Sequence, residues 1–411
     1  MSRILIVGGG MAGASLALLL ARRTKHDIVL VEQAPLTGGP FPDTPSYDAR
    51  STALALGSAE ILDALGVWAV LAAHAQPITR IGISHCGRFG SARLEAADEG
   101  VAMLGFVAEN RHIGHALVAA LRNTRVTIRS PMKVAAVARD GAAHRVVLAD
   151  GESLTADLLV VADGVNSSLR QTLGIAVHSH EYGATALVCN LSTREPHAGM
   201  AFERFTDDGA VALLPLVGET SGNRAEDSRR LALVWSVPDA RARELLALDE
   251  RDFIAALDAA TGGRLGGVAK TGVRHAYPLV KTVAAEQAVP GAVLVGNAAH
   301  LLHPVAGQGF NLTLRDLAAL ADTLAQAERD GEPVGELRVL QRYVDSRARD
   351  QQLTAGLSHR LPQLFGAGNP LLSAGRDFGL FAFDVLAPLK REFARQTMGV
   401  GVFTGGVSRA G

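Results

Sequence analysis

Cysteine is almost absent: the 411 residues contain only Cys86 and Cys189. That excludes a disulfide-stapled scaffold and a cysteine-rich zinc module. An excess of charge of either sign is also missing. Lysine and arginine number 40, aspartate and glutamate 41, and the net charge is −1. Proteins that live on phosphate neutralisation are basic, so nucleic acid is not expected as a partner. No unbroken apolar run reaches about 18 residues, so no spanning helix is predicted. Residues 1–10 run from Met1-Ser2-Arg3 into Ile4-Leu5-Ile6-Val7 and then a glycine turn, without a cleavage site. No export or organelle address is read there, and a cytoplasmic location is expected. Internal repeats and low-complexity tracts are absent as well.

Apolar material and glycine are plentiful. Apolar residues make up 48 % of the chain and charged residues 20 %, which suits a large buried core and excludes disorder. At roughly 150 residues per domain the length predicts two to three domains. Glycine reaches 44 residues, and their positions carry the functional reading.

Residues 3–7 read as a buried strand, 8–10 as a turn, and 11–23 as a helix with Leu16, Leu19 and Leu20 at helical spacing. Residues 27–32 are a second apolar strand, which completes a βαβ unit of the parallel-sheet type. Residues 34–48, rich in Pro, Gly and Thr, read as a loop. Residues 51–65 and 109–122 read as helices, and 77–98 as strand-rich. Residues 145–148, an Asp150-Gly151 turn and Leu154 form an antiparallel pair. Residues 158–161 are a third fully apolar strand. Between about 180 and 280 the runs 184–191, 210–217 and 230–237 are separated by turns such as Asp207-Asp208-Gly209. Helix is expected there only over 239–260, and 218–229 is a polar loop. This is a mostly antiparallel sheet inserted into the first fold. Residues 292–295 return to the parallel style, and helices follow at about 308–329, 335–359 and 371–398.

Three motifs carry chemistry. The first is Gly8-Gly9-Gly10-Met11-Ala12-Gly13, which fits G-x-G-x-x-G, follows a strand and opens a helix. Gly8 permits a tight turn, Gly10 lets backbone approach a pyrophosphate, and Gly13 lets the helix pack on the strand. The helix N-terminus offers unpaired N–H groups and partial positive charge. Glu32, 19 residues beyond Gly13, ends the second strand where a carboxylate would accept ribose hydroxyls. The motif points to a dinucleotide without choosing between NAD and FAD; the plainer alternative is a glycine turn with no ligand. The second motif is Asp163-Gly164-Val165-Asn166-Ser167-Ser168-Leu169-Arg170, placed after the apolar strand at the ligand-binding edge of an α/β sheet. Its alternative is an ordinary turn with Ser167 as a helix N-cap. The third is Gly296-Asn297-Ala298-Ala299-His300, then Pro304, Gly307-Gln308-Gly309-Phe310-Asn311 and Asp316. Close glycines before a helix start suit a flat or charged object, because a helix N-terminus stabilises developing negative charge. His300 and His303 lie at i, i+3, but no third ligand clusters with them and no metal is expected.

In this order and spacing the motifs resemble the single-component FAD aromatic hydroxylases, the group containing para-hydroxybenzoate hydroxylase, over nearly the whole chain. The stretch His303-Pro304-Val305-Ala306-Gly307-Gln308-Gly309-Phe310-Asn311-Leu312 is similar to the signature of the ubiquinone-biosynthesis hydroxylases. So is the tail with Leu389-Lys390-Arg391, Ala394-Arg395 and Met398-Gly399. The branch that hydroxylates 2-polyprenyl-6-methoxyphenol matches best, and it shares Asn297 where most of the superfamily has Asp.

The resemblance implies an α/β fold: a Rossmann-like FAD-binding domain interleaved with a mostly antiparallel substrate sheet and a C-terminal helical segment. The expected divisions are 1–75, 100–178 and 285–335 for FAD, 76–99 and 179–284 for substrate, and 336–411 for the terminal helices. Gly8, Gly10, Met11, Ala12 and Gly13 would hold the FAD pyrophosphate and Glu32 the adenosine ribose. Arg50, in Asp48-Ala49-Arg50-Ser51, and Asn110 would contact FAD. Asp163 and Gly164 would serve FAD and NAD(P)H, and Gly296 and Asn297 the ribityl and pyrophosphate region. Gly307, Gly309 and Asn311 would border the flavin. The backbone N–H groups of Gly309 and Phe310 would stabilise it when reduced, and Pro304 would pack near its reactive edge. The implied reaction is reduction of FAD by NADPH or NADH, addition of O2 to give a C4a-hydroperoxyflavin, and oxygen transfer to an activated phenol ring. The resemblance singles out no side chain to ionise that phenol.

The implied partners are a polyprenyl phenol, the inner face of the membrane as a peripheral contact, and a ubiquinone-biosynthesis protein complex. Phe378, Phe381, Val385, Leu389 and Phe393 recur at helical spacing beside Lys390, Arg391 and Arg395. Such a helix packs on the FAD fold or lies on anionic lipid. Two other functions stay open: an FAD reductase or other flavoenzyme acting on a prenyl lipid or phenol, and a non-catalytic FAD-binding scaffold.

Overall fold

The computed structural model describes residues 1–36, 48, 50–86, 91–206, 208–218, 228–263, 266–302 and 307–366. Its centre is a six-stranded sheet in the order Ala288–Val289, Ala292–Leu294, Leu158–Val161, Arg3–Val7, Asp27–Val31 and Thr127–Arg129. All its pairs are parallel except the hairpin at the first edge. Ile4 stands opposite Ile28 on one side and Leu158 on the other. Both faces are covered, which is why these strands are continuously apolar rather than alternating. On one face the Met11–Arg23 and Gln308–Asp330 helices pack Leu16, Leu20, Leu314 and Leu317 against Ile4, Ile6 and Leu30. On the other face Leu5, Val7, Val29 and Val31 meet Val146, Leu148 and Leu154. Those come from a three-stranded antiparallel sheet, Val134–Asp140, Ala143–Leu148 and Ser153–Ala156.

A nine-stranded, mostly antiparallel sheet forms the other half. Its order is His300–Leu301, His275–Ala284, Val177–Thr193, Arg230–Pro238, Gly209–Pro215, Met200–Thr206, Arg80–His85 and Ser91–Glu95, with Val268–Thr271 beside Val177–Thr193. The Met200–Thr206 and Arg80–His85 pair is the parallel exception. Two segments differ from the sequence expectation. Residues 51–65 begin as a strand, Ser51–Ala55, before the Leu56–Ala64 helix. Ser51–Ala55 pairs with Gly105–Glu109, so tertiary pairing overrides the weak local preference of Ser-Thr-Ala-Leu-Ala. The helix expected over 239–260 is two helices, Asp239–Ala247 and Glu250–Thr261. The break falls where Asp249 caps the second, its Oδ1 accepting the Asp252 N–H at 2.8 Å. Among the described residues no single helix is long and apolar enough to cross a membrane. The helix expected over 371–398, and most of the 34–48 and 218–229 loops, lie outside the described residues.

Candidate active site

Four adjacent strands of the parallel sheet deliver the first motif, Glu32, the second motif and the start of the third. Arg3–Val7 ends in Gly8 to Gly13, Asp27–Val31 in Glu32, Leu158–Val161 in Asp163-Gly164, and Ala292–Leu294 in Gly296-Asn297. Because the strands are parallel, the four carboxyl ends share one edge, where open α/β sheets bind ligands.

Glycine is required at that edge by close approach. Gly8 has φ +108°, and a Cβ there would lie 2.3 Å from the Ala162 carbonyl oxygen. A Cβ on Gly13 would lie 1.8 Å from the Gly8 carbonyl oxygen and 3.4 Å from the Ala162 Cβ. On Gly296 it would lie 2.9 Å from the Ala12 Cβ. The three turns are therefore in mutual contact. The Met11–Arg23 helix starts after Gly10 with no side-chain cap and no acidic residue in its first turn. Its first N–H groups and partial positive charge are available at this edge.

Two carboxylates flank the glycines. Glu32 is 8 % exposed; its Oε2 accepts the Gly9 N–H at 2.5 Å and its Oε1 the Ala34 N–H at 2.8 Å. It therefore holds the glycine loop to the second strand. Asp163 Oδ1 is buried without a hydrogen-bond partner among the described residues, while Oδ2 accepts the Leu169 N–H at 3.5 Å. Burial pushes its carboxyl above the ordinary range, against hydrogen bonds from Ser167 and Leu169. The plainer reading of this turn also holds, because Ser167 caps the Ser168–Thr172 helix by accepting the Arg170 N–H at 3.0 Å. Arg170, quoted in the motif without a role, is buried and donates to the Ala298 carbonyl at 2.9 Å and the Val165 carbonyl at 3.0 Å. It ties the second motif to the third.

Other expected contacts are distributed differently. Asn311, 1 % exposed, spends its amide on protein. Its Oδ1 accepts the Ala55 N–H at 2.9 Å, and its Nδ2 donates to the Ala53 carbonyl at 2.9 Å and the Gly307 carbonyl at 3.1 Å. It is a strut between Ser51–Ala55 and the start of the Gln308–Asp330 helix. Asn110 is likewise buried, with its Oδ1 accepting from Thr52 Oγ1 at 2.6 Å. Arg50 pairs with Asp48 at 2.6 Å and lies over the Tyr277 ring at 4.9 Å. Asn297 is exposed. Pro304 and His303 lie outside the described residues.

Charged groups that sequence reasoning left without a role brace this framework. Asp316, 2 % exposed, takes His300 Nε2 at 3.0 Å, Arg347 Nε at 2.7 Å and Gln351 Nε2 at 3.0 Å. Arg347 also pairs with Asp350, which accepts Arg315 Nε at 2.8 Å. The network locks His300, and with it the third turn, to the two long helices. Glu109, 4 % exposed, sits where Gly105–Glu109 meets the nine-stranded sheet. It accepts Arg111 Nη2 at 2.9 Å, Asn190 Nδ2 at 3.0 Å and Arg230 Nη2 at 3.2 Å. Burial would raise its pKa, but the His112 hydrogen bond and the Arg230 and Arg111 cations bring it down to about 2.

Beside the glycine-lined edge is a cavity of about 320 Å³. One wall is Ser51, Thr52 and Ala53 with Gly307, Gly309 and Phe310. The opposite wall is the nine-stranded sheet, with Ile81, Ile83, Leu94, Ala212, Leu214 and Val234. An apolar chamber with few polar groups is the expected form of a small-molecule site.

The whole arrangement is that of a nucleotide-dependent flavin fold with an apolar chamber at its edge. The family profile described as "FAD binding domain" matches residues 1–355, and the chain belongs to that family. Among characterised relatives, the ubiquinone hydroxylase UbiL of Rhodospirillum rubrum is 34 % identical over 403 residues, covering 96 % of this chain and 89 % of its own length. The 3-demethoxyubiquinol 3-hydroxylase of Escherichia coli is 32 % identical over 403 residues, covering 97 % and 99 %. The human mitochondrial ubiquinone biosynthesis monooxygenase COQ6 is 28 % identical over 439 residues, covering 95 % and 91 %. The fold matches Pseudomonas aeruginosa PqsL in complex with 2-aminobenzoylacetate, with a TM-score of 0.77 at 24 % identity over 92 % of this chain and 99 % of that one.

Proposed function

We propose that this protein is an FAD-dependent monooxygenase that hydroxylates the ring of a polyprenylated methoxyphenol in ubiquinone biosynthesis, with NADPH or NADH and O2 as co-substrates. The observation that carries the reading is the apolar cavity walled on one side by Gly307, Gly309 and Phe310, at the start of the helix whose Thr313 lies beside the Gly296 turn. The relatives' hydroxylase names support the same chemistry.

The residues present fit FAD. At Gly8 and Gly13 of the first turn a Cβ would have to displace backbone, and Asp163 Oδ1 is a buried acceptor left without a protein partner among the described residues. Gly8, Gly10, Met11, Ala12 and Gly13 would hold the pyrophosphate on the helix N-terminus. Asp163 and Gly164 would serve FAD and NAD(P)H, and Gly296 and Asn297 the ribityl and pyrophosphate region. Bound FAD supplies the redox chemistry, accepting hydride from the nicotinamide and activating O2. The chain's own part is positional. Uncapped N–H groups at Gly309 and Phe310, at the start of a 23-residue helix, would favour negative charge beside the cavity. Ile81, Ile83, Leu94 and Leu214 would seat the ring and exclude water. Pro304 is proposed for the reactive edge, and the basic apolar segment over 371–398 for peripheral contact with the inner face of the membrane.

The test is direct. Purified protein should bind FAD, turn yellow, and oxidise reduced nicotinamide faster when a prenylated methoxyphenol is added. A protein that stays colourless after reconstitution with FAD sinks the reading. A yellow protein indifferent to phenol points to the scaffold or reductase alternatives.

A further inference from the structure

The cavity wall contains one carboxyl group in an otherwise apolar row. Glu203 lies on Met200–Thr206, opposite Ile83 of one neighbouring strand and Ala212 of the other. The row continues to Ala92 and Val234. Strand alternation puts these side chains on one sheet face, and Ile83, Glu203, Ala212 and Val234 all line the cavity. Glu203 makes no hydrogen bond or ion pair among the described residues, in contrast to Glu32, Glu109 and Asp316. Its side chain is accessible only in part, towards the cavity it lines. Burial alone pushes its carboxyl up to about 7.

Among the described residues, the charged groups around that face are occupied elsewhere. His85, on the same face of the neighbouring strand, has Nδ1 2.9 Å from the Cys86 carbonyl oxygen. Arg230 is paired with Glu109, and Arg204, on the opposite face, donates to the Thr261 carbonyl at 3.0 Å. On the Leu337–Gly366 helix, Arg347 and Asp350 belong to the Asp316 network. A half-buried acid without a protein partner, facing an apolar cavity, is completed by a ligand that bonds it. Across the cavity stand Phe310, Gly307, Gly309 and the hydroxyl residues Ser51 and Thr52, of which Thr52 donates to Asn110; none of them is a cation or bonds Glu203, so the occupant is the natural partner.

We propose that Glu203 takes the hydroxyl proton of the aromatic substrate in this cavity. The proposal rests on the hydroxylase reading above. The ring O–H bond breaks, its proton passes to the Glu203 carboxylate, and the electron pair stays on the ring oxygen. Nothing is oxidised or reduced in the step, and the phenolate is the more electron-rich ring for attack by an electrophilic oxygen. A base that ionises near neutrality is suited to a phenol.

Two measurements on the FAD-loaded protein test it, using wild type, Glu203→Gln and Glu203→Asp. The first is a binding cycle with a methoxyphenol and its methyl ether, which lacks the proton. Wild type should prefer the phenol increasingly as pH rises through about 7, and Glu203→Gln should lose that preference by about tenfold or more. The second is the pH profile of hydroxylation. For wild type kcat/KM should rise through about 7; Glu203→Gln should fall about 10²–10⁴-fold and lose that limb, and Glu203→Asp should keep it. FAD absorbance checks that each variant is loaded. A phenol preference in Glu203→Gln within about threefold of wild type overturns the proposal, as does retention of the limb. If wild type makes no hydroxylated product, the hydroxylase reading fails, and the binding cycle still decides whether Glu203 recognises the ring hydroxyl.

Discussion

Replacing Asp316 by alanine should be among the most damaging single changes outside the glycine turns. Its carboxylate receives three hydrogen bonds, from His300, Arg347 and Gln351. The enclosed charges balance as long as it is present, with Asp316 and Asp350 against Arg315 and Arg347. Asp316→Ala leaves two buried guanidinium groups sharing one carboxylate. Removing one partner of a buried pair costs about 3–5 kcal/mol, mostly because the other charge stays buried. Asp316→Asn leaves the same charge uncompensated but keeps an acceptor for Arg347, so a smaller loss than that of Asp316→Ala is expected. Arg347→Met added to Asp316→Ala removes the orphaned charge and should restore part of the loss. Urea unfolding of the FAD-free protein measures these values without contribution from ligand binding. In the loaded protein Asp316→Ala should also weaken FAD retention, because His300 follows the Gly296 turn. A loss below about 1 kcal/mol, or strictly additive losses in the double variant, would refute the assignment of the network as a brace.

Two carboxyls should shift stability in opposite directions with pH. Glu109, held at about 2 in the folded protein, contributes stability above its unfolded pKa of about 4.5 and loses it as pH falls towards 2. Glu109→Gln should therefore cost up to about 3 kcal/mol at pH 7 and almost nothing near pH 2, in urea titrations across that range. Glu203, raised to about 7, costs stability as pH rises from about 4.5 through 7, so Glu203→Gln should raise the urea midpoint at pH 8 more than at pH 4.5. At the first turn, Gly13→Ala places a methyl group 1.8 Å from the Gly8 carbonyl oxygen. That must displace backbone, and the purified variant should lose most of its flavin absorbance; full FAD content would contradict the cradle.

The nucleotide edge was legible because each part rests on local chemistry. Gly8 to Gly13 between an apolar strand and a helix, Glu32 at a strand end, and Asp163-Gly164 after 158–161 all follow from short-range pattern. Parallel topology then brings them to one edge. Arg170 and Asp316 stood in the quoted motifs, yet their partners lie at Ala298 and at Arg347 and Gln351. Only the packing of turns and helices decides such pairs. The partners of the Asn311 amide were out of reach of the sequence for a different reason: two of them lie on Ser51–Ala55, a strand that sequence reasoning took for helix. Glu203 did leave a trace. In Met200-Ala201-Phe202-Glu203-Arg204-Phe205 the period of two puts an acid on the same face as Ala201 and Phe205, an anomaly that acquires meaning only once that face is seen to line a cavity.

The central claim is that this chain directs oxygen from O2 onto a phenol ring. The decisive measurement supplies the FAD-loaded protein with reduced nicotinamide, a prenylated methoxyphenol and ¹⁸O2, and weighs the product by mass spectrometry. The account predicts a ring-hydroxylated product containing one labelled oxygen atom. Nicotinamide consumption with peroxide formation and no labelled ring, or a new hydroxyl whose oxygen comes from water, would contradict it.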